Sequence, residues 1–533
     1  MLNEKVICFL MIFVVIQCHR LNIPSRVLIY DKKPGLIKRL IIYIRSMLSA
    51  FSKYRERMAN NASNLTTAAI RFFLALFVLF FMLAYTPANG AEDDALQKVG
   101  NIPYRIGGDL RLRQVYFDNI PYYRDTYLSE TNFLRLRTRL WAEVQPSPDV
   151  TLRTRLVNDF RYYFAPAGTI SYRFPDEIFV DQLYVDVKKL SDGRLDLRIG
   201  RQEMRYGTGK IIANGTPKSS GRTEYFDAAK MTWKGIRDTE IDIIGIYDRP
   251  TNDLVINPQG RDLTGYPPWR EWMTEAGLGI YIKNKTLPNL PMEAYSIYKR
   301  ESGWEFSGNL YADAGRLQIY DPETNMVKVP ALQYNTFGMR IMPKVTETLE
   351  GNFEAAYQVG NYDGGTSKIG YMTDFFLKWK MPFLLRLEPV VGAGWYYTSG
   401  RDPYEDNNAG WDSPFARWAG YSLIYETTLS YEGGGRWSNV NMYYGDLTVN
   451  PFSWLRSTLL VGYLLAPVKD GGGDGNVRGW LASLQANFRL AKNLLRENDA
   501  LTAGLKVEIL RPGDYYPDND LAYYARWELT YSF

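Results

Sequence analysis

Leu521-Ala522-Tyr523-Tyr524-Ala525-Arg526-Trp527-Glu528-Leu529-Thr530-Tyr531-Ser532-Phe533 ends the chain in strict alternation. Because successive strand residues point to opposite faces, Tyr523, Ala525, Trp527, Leu529, Tyr531 and Phe533 share one face, and Tyr524, Arg526, Glu528, Thr530 and Ser532 share the other. A strand that offers lipid an apolar, aromatic row and offers a lumen a polar row is what a transmembrane β-barrel requires. A closing aromatic is also the usual mark of a chain handled by the outer-membrane assembly machinery of bacteria. The competing reading is the last strand of a soluble sandwich, so the rest of the chain has to decide.

Composition favours the barrel. Mean hydropathy is negative, −0.29, although aromatic residues reach 15% of the chain. A barrel strand spends every second residue on water and builds no long apolar run. No stretch after Tyr85 reads as a spanning helix. Cys8, Cys18 and the single histidine, His19, all precede the expected mature chain. That chain would then have no disulfide, no thiolate or imidazole metal site and no Ser-His or Cys-His nucleophile pair, so no cofactor is expected.

Further upstream, Arg71, the apolar run Phe72 to Tyr85, and Thr86-Pro87-Ala88-Asn89-Gly90-Ala91 read as the three parts of a secretory signal. Residues 58–91 are accordingly expected to be a signal peptide cleaved after Gly90 or Ala91, and residues 92–533 the barrel. A basic segment such as Lys32 to Arg57 does not normally precede a signal, so residues 1–57 are read as a start-site artefact, with translation from Met47 or Met58. Val15-Ile16-Gln17-Cys18 resembles a lipoprotein box, but Gln17 is too large for the position before the cysteine. Residues 1–91 carry 12 of the 63 basic and 3 of the 58 acidic side chains, leaving 51 against 55, a net of −4. The precursor's +5 is then a targeting feature and implies no nucleic-acid partner.

Alternation predicts strands at Pro103-Phe117, Thr131-Gln145, Asp149-Phe164, Asp176-Lys189, Gly193-Met204, Thr223-Gly235, Thr239-Arg249, Met273-Lys285, Asn289-Glu301, Val329-Met342, Thr348-Gly360, Lys368-Met381, Phe383-Gly400, Trp437-Asn450, Ser453-Pro467, Val477-Leu490, Ala500-Arg511 and Leu521-Phe533. That makes about 18, an all-β antiparallel transmembrane barrel of the porin size class. The connections tend to alternate in length. Pro146-Ser147-Pro148, Leu190-Ser191-Asp192, Thr286-Leu287-Pro288, Pro382 and Phe452 mark tight turns, whereas Asp118-Glu130, Arg205-Arg222, Pro250-Trp272, Ser302-Lys328 and Arg401-Arg436 are long. Short periplasmic turns and long extracellular loops are the outer-membrane pattern.

An arginine ladder marks the first strands. If Leu110, Leu112, Leu134, Leu136, Leu140, Leu152 and Leu156 face lipid, the lumen receives Arg105, Asp109, Arg111 and Arg113, then Arg135, Arg137, Arg139 and Glu143, then Arg153, Arg155, Asp159 and Arg161. One reading is the arginine–carboxylate network with which any large barrel fills its inner wall. The other is an anion pathway, since fixed positive charge in a narrow pore concentrates anions and Arg presents a two-pronged fork to carboxylates.

Leu195-Asp196-Leu197-Arg198-Ile199-Gly200-Arg201-Gln202-Glu203-Met204-Arg205-Tyr206-Gly207, followed by Gly221-Arg222-Thr223-Glu224-Tyr225-Phe226-Asp227-Ala228-Ala229, resembles the core of the alginate export family of outer-membrane barrels. Asp181 to Val187, Ile106 to Arg113 and Ala525 to Phe533 are similar to that family too. The resemblance implies a barrel of about 18 strands passing an acidic exopolysaccharide outward through an electropositive constriction. It places Arg111, Arg113, Arg135, Arg137, Arg153, Arg155, Asp159, Arg198, Arg201, Gln202 and Glu203 on the substrate path. Strict alternation from Leu195 would turn Arg201 to lipid, so either a bulge follows Gly200 or the strand leaves the membrane there. The turn Ala491 to Asp499 is brief, which leaves no room for the long periplasmic plug found in some members.

Weaker signals remain. Asp470 to Asn476 has the composition of a Ca²⁺ loop but no downstream Glu at the required spacing, and reads as an outer hairpin. Asp402, Glu405, Asp406 and Asp412 read as a solvated acidic stretch, the alternative being divalent ions that bridge lipopolysaccharide phosphates. Carboxylate pairs such as Asp176 with Glu177 keep a glycoside hydrolase formally open, alongside an export channel and an uptake porin for small acids or sugars. The expected partners are an anionic polysaccharide, outer-membrane lipid and lipopolysaccharide, the assembly machinery and periplasmic polysaccharide-secretion proteins.

Overall fold

A computed structural model describes residues 97–99, 101–125, 129–165, 172–213, 225–250, 254–257, 273–307, 317–384, 386–402, 407–416, 420–433, 437–469 and 471–533. The signal and upstream segments, residues 221–224 of the family-like motif, Glu405, Asp406 and Asp470 lie outside them. Two compact units divide the chain: Met1–Asp93 with Arg489–Leu501, and Asp94–Phe488 with Thr502–Phe533. In the first, the described segment is a turn organised by Asp499, whose carboxylate accepts the backbone N–H groups of Leu494, Leu495 and Arg496 at 2.5, 2.7 and 2.9 Å.

The second unit is a closed antiparallel barrel. Its eighteen long strands are β1 Ile102–Asp118, β2 Thr131–Ser147, β3 Val150–Ala165, β4 Ile178–Lys189, β5 Leu195–Gln202, β6 Phe226–Ile236, β7 Thr239–Asp248, β8 Glu275–Asn284, β9 Met292–Glu301, β10 Leu332–Ile341, β11 Leu349–Tyr362, β12 Ser367–Lys380, β13 Val390–Thr398, β14 Val440–Phe452, β15 Leu455–Leu465, β16 Val477–Lys492, β17 Ala500–Pro512 and β18 Ala522–Ser532. The strand that opened the reading also closes the barrel: β18 pairs with β1 from Asp109↔Ser532 to Asp118↔Tyr523. Gly108 and Phe533 exchange backbone hydrogen bonds of 2.9 and 3.0 Å beyond the end of that ladder.

The two faces separate as the alternation requires. Leu278, Ile280, Phe337, Met339, Val461 and Ile509 are exposed on the outer wall, whereas Arg113, Lys299, Glu354 and Asp374 are buried on the inner one. An exposed apolar belt over a charged interior inverts a soluble protein and fits a lipid solvent. No helix among the described residues is long and apolar enough to cross a membrane; the crossing is made by strands.

Three expectations change. The thirteenth strand begins at Val390, not Phe383: Met381 N–H donates to Pro389 O at 2.9 Å, and Leu387 N–H donates to Leu384 O at 2.8 Å. Pro382 and Pro389 bring no backbone donor to a ladder, so Phe383 and Leu384 join no strand, although Leu387 O accepts the Asn450 N–H at 2.7 Å. Loop lengths also have an exception: β11 and β12 are joined on the long-loop side by a tight turn in which Gly364 and Gly365 take φ of 102° and 97°, values that favour glycine.

The third change is larger. Instead of standing in solvent, the described parts of two long loops fold into the lumen. Ile212–Ala213, after β5, pairs in parallel with Phe415–Ala416, after β13. A helix, α1 Leu423–Gly433, follows. Ile211, Ile212, Trp411, Phe415, Ile424, Tyr425 and Leu429 join Tyr281, Tyr295, Tyr396, Met442 and Leu510 of the wall in one buried cluster. Asp412, read as solvated, is buried here: its N–H donates to Gln358 Oε1 at 3.0 Å, and its carbonyl accepts from Gln358 Nε2 at 2.5 Å.

Candidate functional site

Register brings the arginine ladder together. Across β1, β2 and β3, Arg113 stands opposite Arg135 and Arg135 opposite Arg161; below them Arg111 faces Arg137 and Arg137 faces Asp159. Nearer the periplasmic end Arg105 faces Glu143, which faces Arg153. Directly opposed like charges destabilise a sheet, so a wall of this kind needs carboxylates between its guanidiniums. Asp159 accepts Arg135 through Nε and Nη2, both at 2.8 Å, and Arg161 Nε at 3.2 Å. Asp109 accepts Arg137 at 2.8 Å and Arg139 at 2.6 Å, and Glu143 bridges Arg105 at 2.6 Å and Arg153 at 2.9 Å.

Other carboxylates arrive from the flanking strands. Arg113 Nε donates to Glu528 of β18 at 2.9 Å, and Arg155 makes a two-pronged pair with Asp181 of β4, both bonds 2.7 Å, while also pairing with Glu203. Arg198 forks onto Asp186 with two bonds of 2.6 Å and lies 4.3 Å from the ring centroid of Tyr184. Arg153 covers Trp141 in the same way at 4.1 Å. Such stacks hold a guanidinium flat with its edge still able to donate.

Exposure splits the wall into two tiers. Arg111, Arg113, Arg135, Arg137, Arg155 and Asp159 are buried. Towards the periplasm, the side chains of Arg153 and Arg198 keep 18% and 29% exposure, and Arg105 44%. With Arg139, at 18%, this lower tier offers the more exposed guanidiniums of the first strands to a solute in the lumen.

Arg201 does not belong to the wall. Its ladder partners are Leu183 and Asp227, and Leu183 is exposed on the outer face, so Arg201 faces outward with it. No bulge follows Gly200 in either ladder, and Gly200 itself takes φ of +122° where an added Cβ would strike the backbone of Leu183 and Tyr184. Arg201 is satisfied there by Asp227 at 2.8 and 2.9 Å, by Val180 O at 3.0 Å and by the ring of Tyr225 at 3.7 Å. Near the end of its strand this pair meets the outer rim of the belt. Gln202 faces inward and is fully buried, with its amide donating to Ala228 O at 2.9 Å and Gly200 O at 3.1 Å, a positioning contact.

Missing from the sequence reading is the seat of the first inward loop. Lys210 pairs with Asp374 of β12 and donates to Tyr421 Oη at 3.2 Å, and Tyr206 Oη donates to Asp242 at 2.8 Å. At the second loop, Glu508 of β17 accepts Ser422 Oγ and the N–H groups of Leu423 and Ile424, capping α1 at 2.7 to 2.9 Å. The available signal was the apolar run Ile211-Ile212-Ala213 inside a supposed outer loop. Asp176 is exposed and Glu177 buried, so the two do not form a shared carboxylate site.

Comparison with known proteins agrees with this architecture. Among solved structures, the outer membrane protein opdK from Pseudomonas aeruginosa is similar over 80% of this chain and 98% of its own, at 10% identity and a TM-score of 0.51. OccK2 (OpdF) of the same organism is similar over 80% and 97%, at 10% identity and 0.51. At that identity the likeness is one of fold. Comparison with curated proteins finds no match. The family model described as alginate export matches residues 103–470, from the second residue of β1 to just beyond β15. The chain therefore is a channel-type barrel of the bacterial outer membrane, and it belongs to the alginate export family.

Proposed function

We propose that this channel exports an anionic, alginate-like exopolysaccharide along its arginine wall. One observation carries the reading: three neighbouring strands direct Arg105, Arg111, Arg113, Arg135, Arg137, Arg139, Arg153, Arg155 and Arg161 inward against only Asp109, Glu143 and Asp159. Carboxylates from flanking strands offset part of this excess. The remainder sets a positive potential along one side of a narrow lumen, where field lines are focused and uronate carboxylates are attracted. Buried arginines supply the field, and Arg153 and Arg198 make the contacts. In this reading the chain is a conduit with no catalytic group and no cofactor.

Planar-bilayer recording of the refolded protein tests it. Anion preference with block by oligouronates is the expected result, and exchange of Arg153 and Arg198 for Glu should abolish the block and reduce the preference. Passage of small acids with mutual competition, and no block by oligouronates, would instead favour an uptake porin.

A further inference from the structure

Direct cross-strand neighbours Lys283, Glu293, Arg340, Glu354 and Asp374 form one inward-facing row across β8 to β12. Charges alternate along it until the last step, where Glu354 and Asp374 stand side by side at 1% and 0% exposure. Two adjacent buried carboxylates repel each other and are costly to desolvate, so the row as built by the strands is incomplete. The missing cation comes from the inward loop: the ammonium of Lys210 pairs with Asp374, while Thr208 Oγ1 donates to Glu354 Oε2 at 3.3 Å. The ring of Tyr396 lies 4.9 Å from the same ammonium.

We propose that Lys210 is a latch that holds the loop Glu203 to Ala213 across the lumen, and that withdrawing it from Glu354 and Asp374 opens the outer half of the barrel. The second loop has its own anchor in Glu508 and also touches the first, through the Ile212–Ala213 and Phe415–Ala416 pairing and through Tyr421, so Lys210 is the charged tie of the first loop to the wall and its release loosens that shared contact as well. Once the loop leaves, the carboxylate pair faces water, and the open pore should admit cations more readily than the latched one. The inference concerns pore opening and does not depend on which solute is carried.

The test is single-channel recording of the full mature chain. Lys210→Ala should raise conductance or open fraction several-fold and lower anion preference, Lys210→Arg should behave as wild type, and the exchange Lys210→Asp with Asp374→Lys should restore the latched level. A heat-modifiable Lys210→Ala barrel with wild-type conductance and gating would overturn the proposal. If that variant does not assemble, Glu354→Gln with Asp374→Asn removes the need for a cation. This pair should assemble and conduct in the open manner, and low, wild-type conductance from it would overturn the latch equally. Anion preference and oligouronate block recorded in parallel distinguish failure of the latch from failure of the export reading.

Discussion

Asp159 shows at the scale of one residue what holds the arginine wall in place. Its side chain is 1% exposed and accepts both Arg135 and Arg161, with Arg137 directly opposite in the ladder. Removing one partner of a buried pair leaves the others charged and unsolvated, a loss of about 3–5 kcal/mol. Asp159→Asn should therefore lower the midpoint of heat modification markedly, measured by the shift between folded and unfolded bands after graded heating. Arg201 makes the contrast. It pairs on the outward face with Asp227; Arg201 is only 6% exposed, but Asp227 keeps 38% and can be solvated once the pair is broken, so Arg201→Ala should cost less than the change at Asp159, about 1–3 kcal/mol, and leave conductance and selectivity unchanged. A loss of anion preference in that variant would return Arg201 to the pathway.

At the scale of the element, each strand was legible because lipid on one side and water on the other impose a period of two along its whole length. All eighteen segments have counterparts in the structure. The reading overran at Phe383, where apolar residues alternate through a proline-bounded turn, since side-chain pattern does not report where backbone donors are missing. The last strand is the most exacting case. Trp527 Nε1 donates to Gln114 Oε1 at 2.9 Å, Tyr531 and Phe533 stack at 6.0 Å, and the Phe533 backbone pairs with Gly108. Replacing Trp527, Tyr531 and Phe533 by Ser removes the interfacial aromatics at the seam. The expected result is unassembled protein in the periplasmic fraction; a heat-modifiable outer-membrane barrel after the triple change would count against the seam's role. Leu278→Arg, a charge on the lipid face, should cost about 2–4 kcal/mol if its depth is central.

For the whole molecule, the sequence revealed which residues face inward but not which of them a solute can touch. Parity alone put Arg111, Arg135 and Arg153 on one wall. Two features beyond parity decided accessibility: carboxylates arriving from far along the chain, such as Glu528 on Arg113, 415 residues apart, and two loops folded into the lumen. Both are tertiary facts that no local period encodes. They lead to a division of labour that can be measured. If the buried tier supplies only a field and the lower tier makes contact, selectivity should have a long-range part that salt removes. The Debye length falls from about 10 Å at ~0.1 M salt to about 3 Å at ~1 M. Wild-type anion preference should accordingly decline between those conditions, while oligouronate block, which uses direct charge-assisted bonds to Arg153 and Arg198, should persist in part. Arg153→Glu with Arg198→Glu should abolish block at both salt concentrations and reduce preference chiefly at low salt, with the barrel still assembled because both side chains reach water. Block that survives this double reversal would mean that the polymer touches other residues, and the two stacked arginines would then be parts of the wall's own network alone.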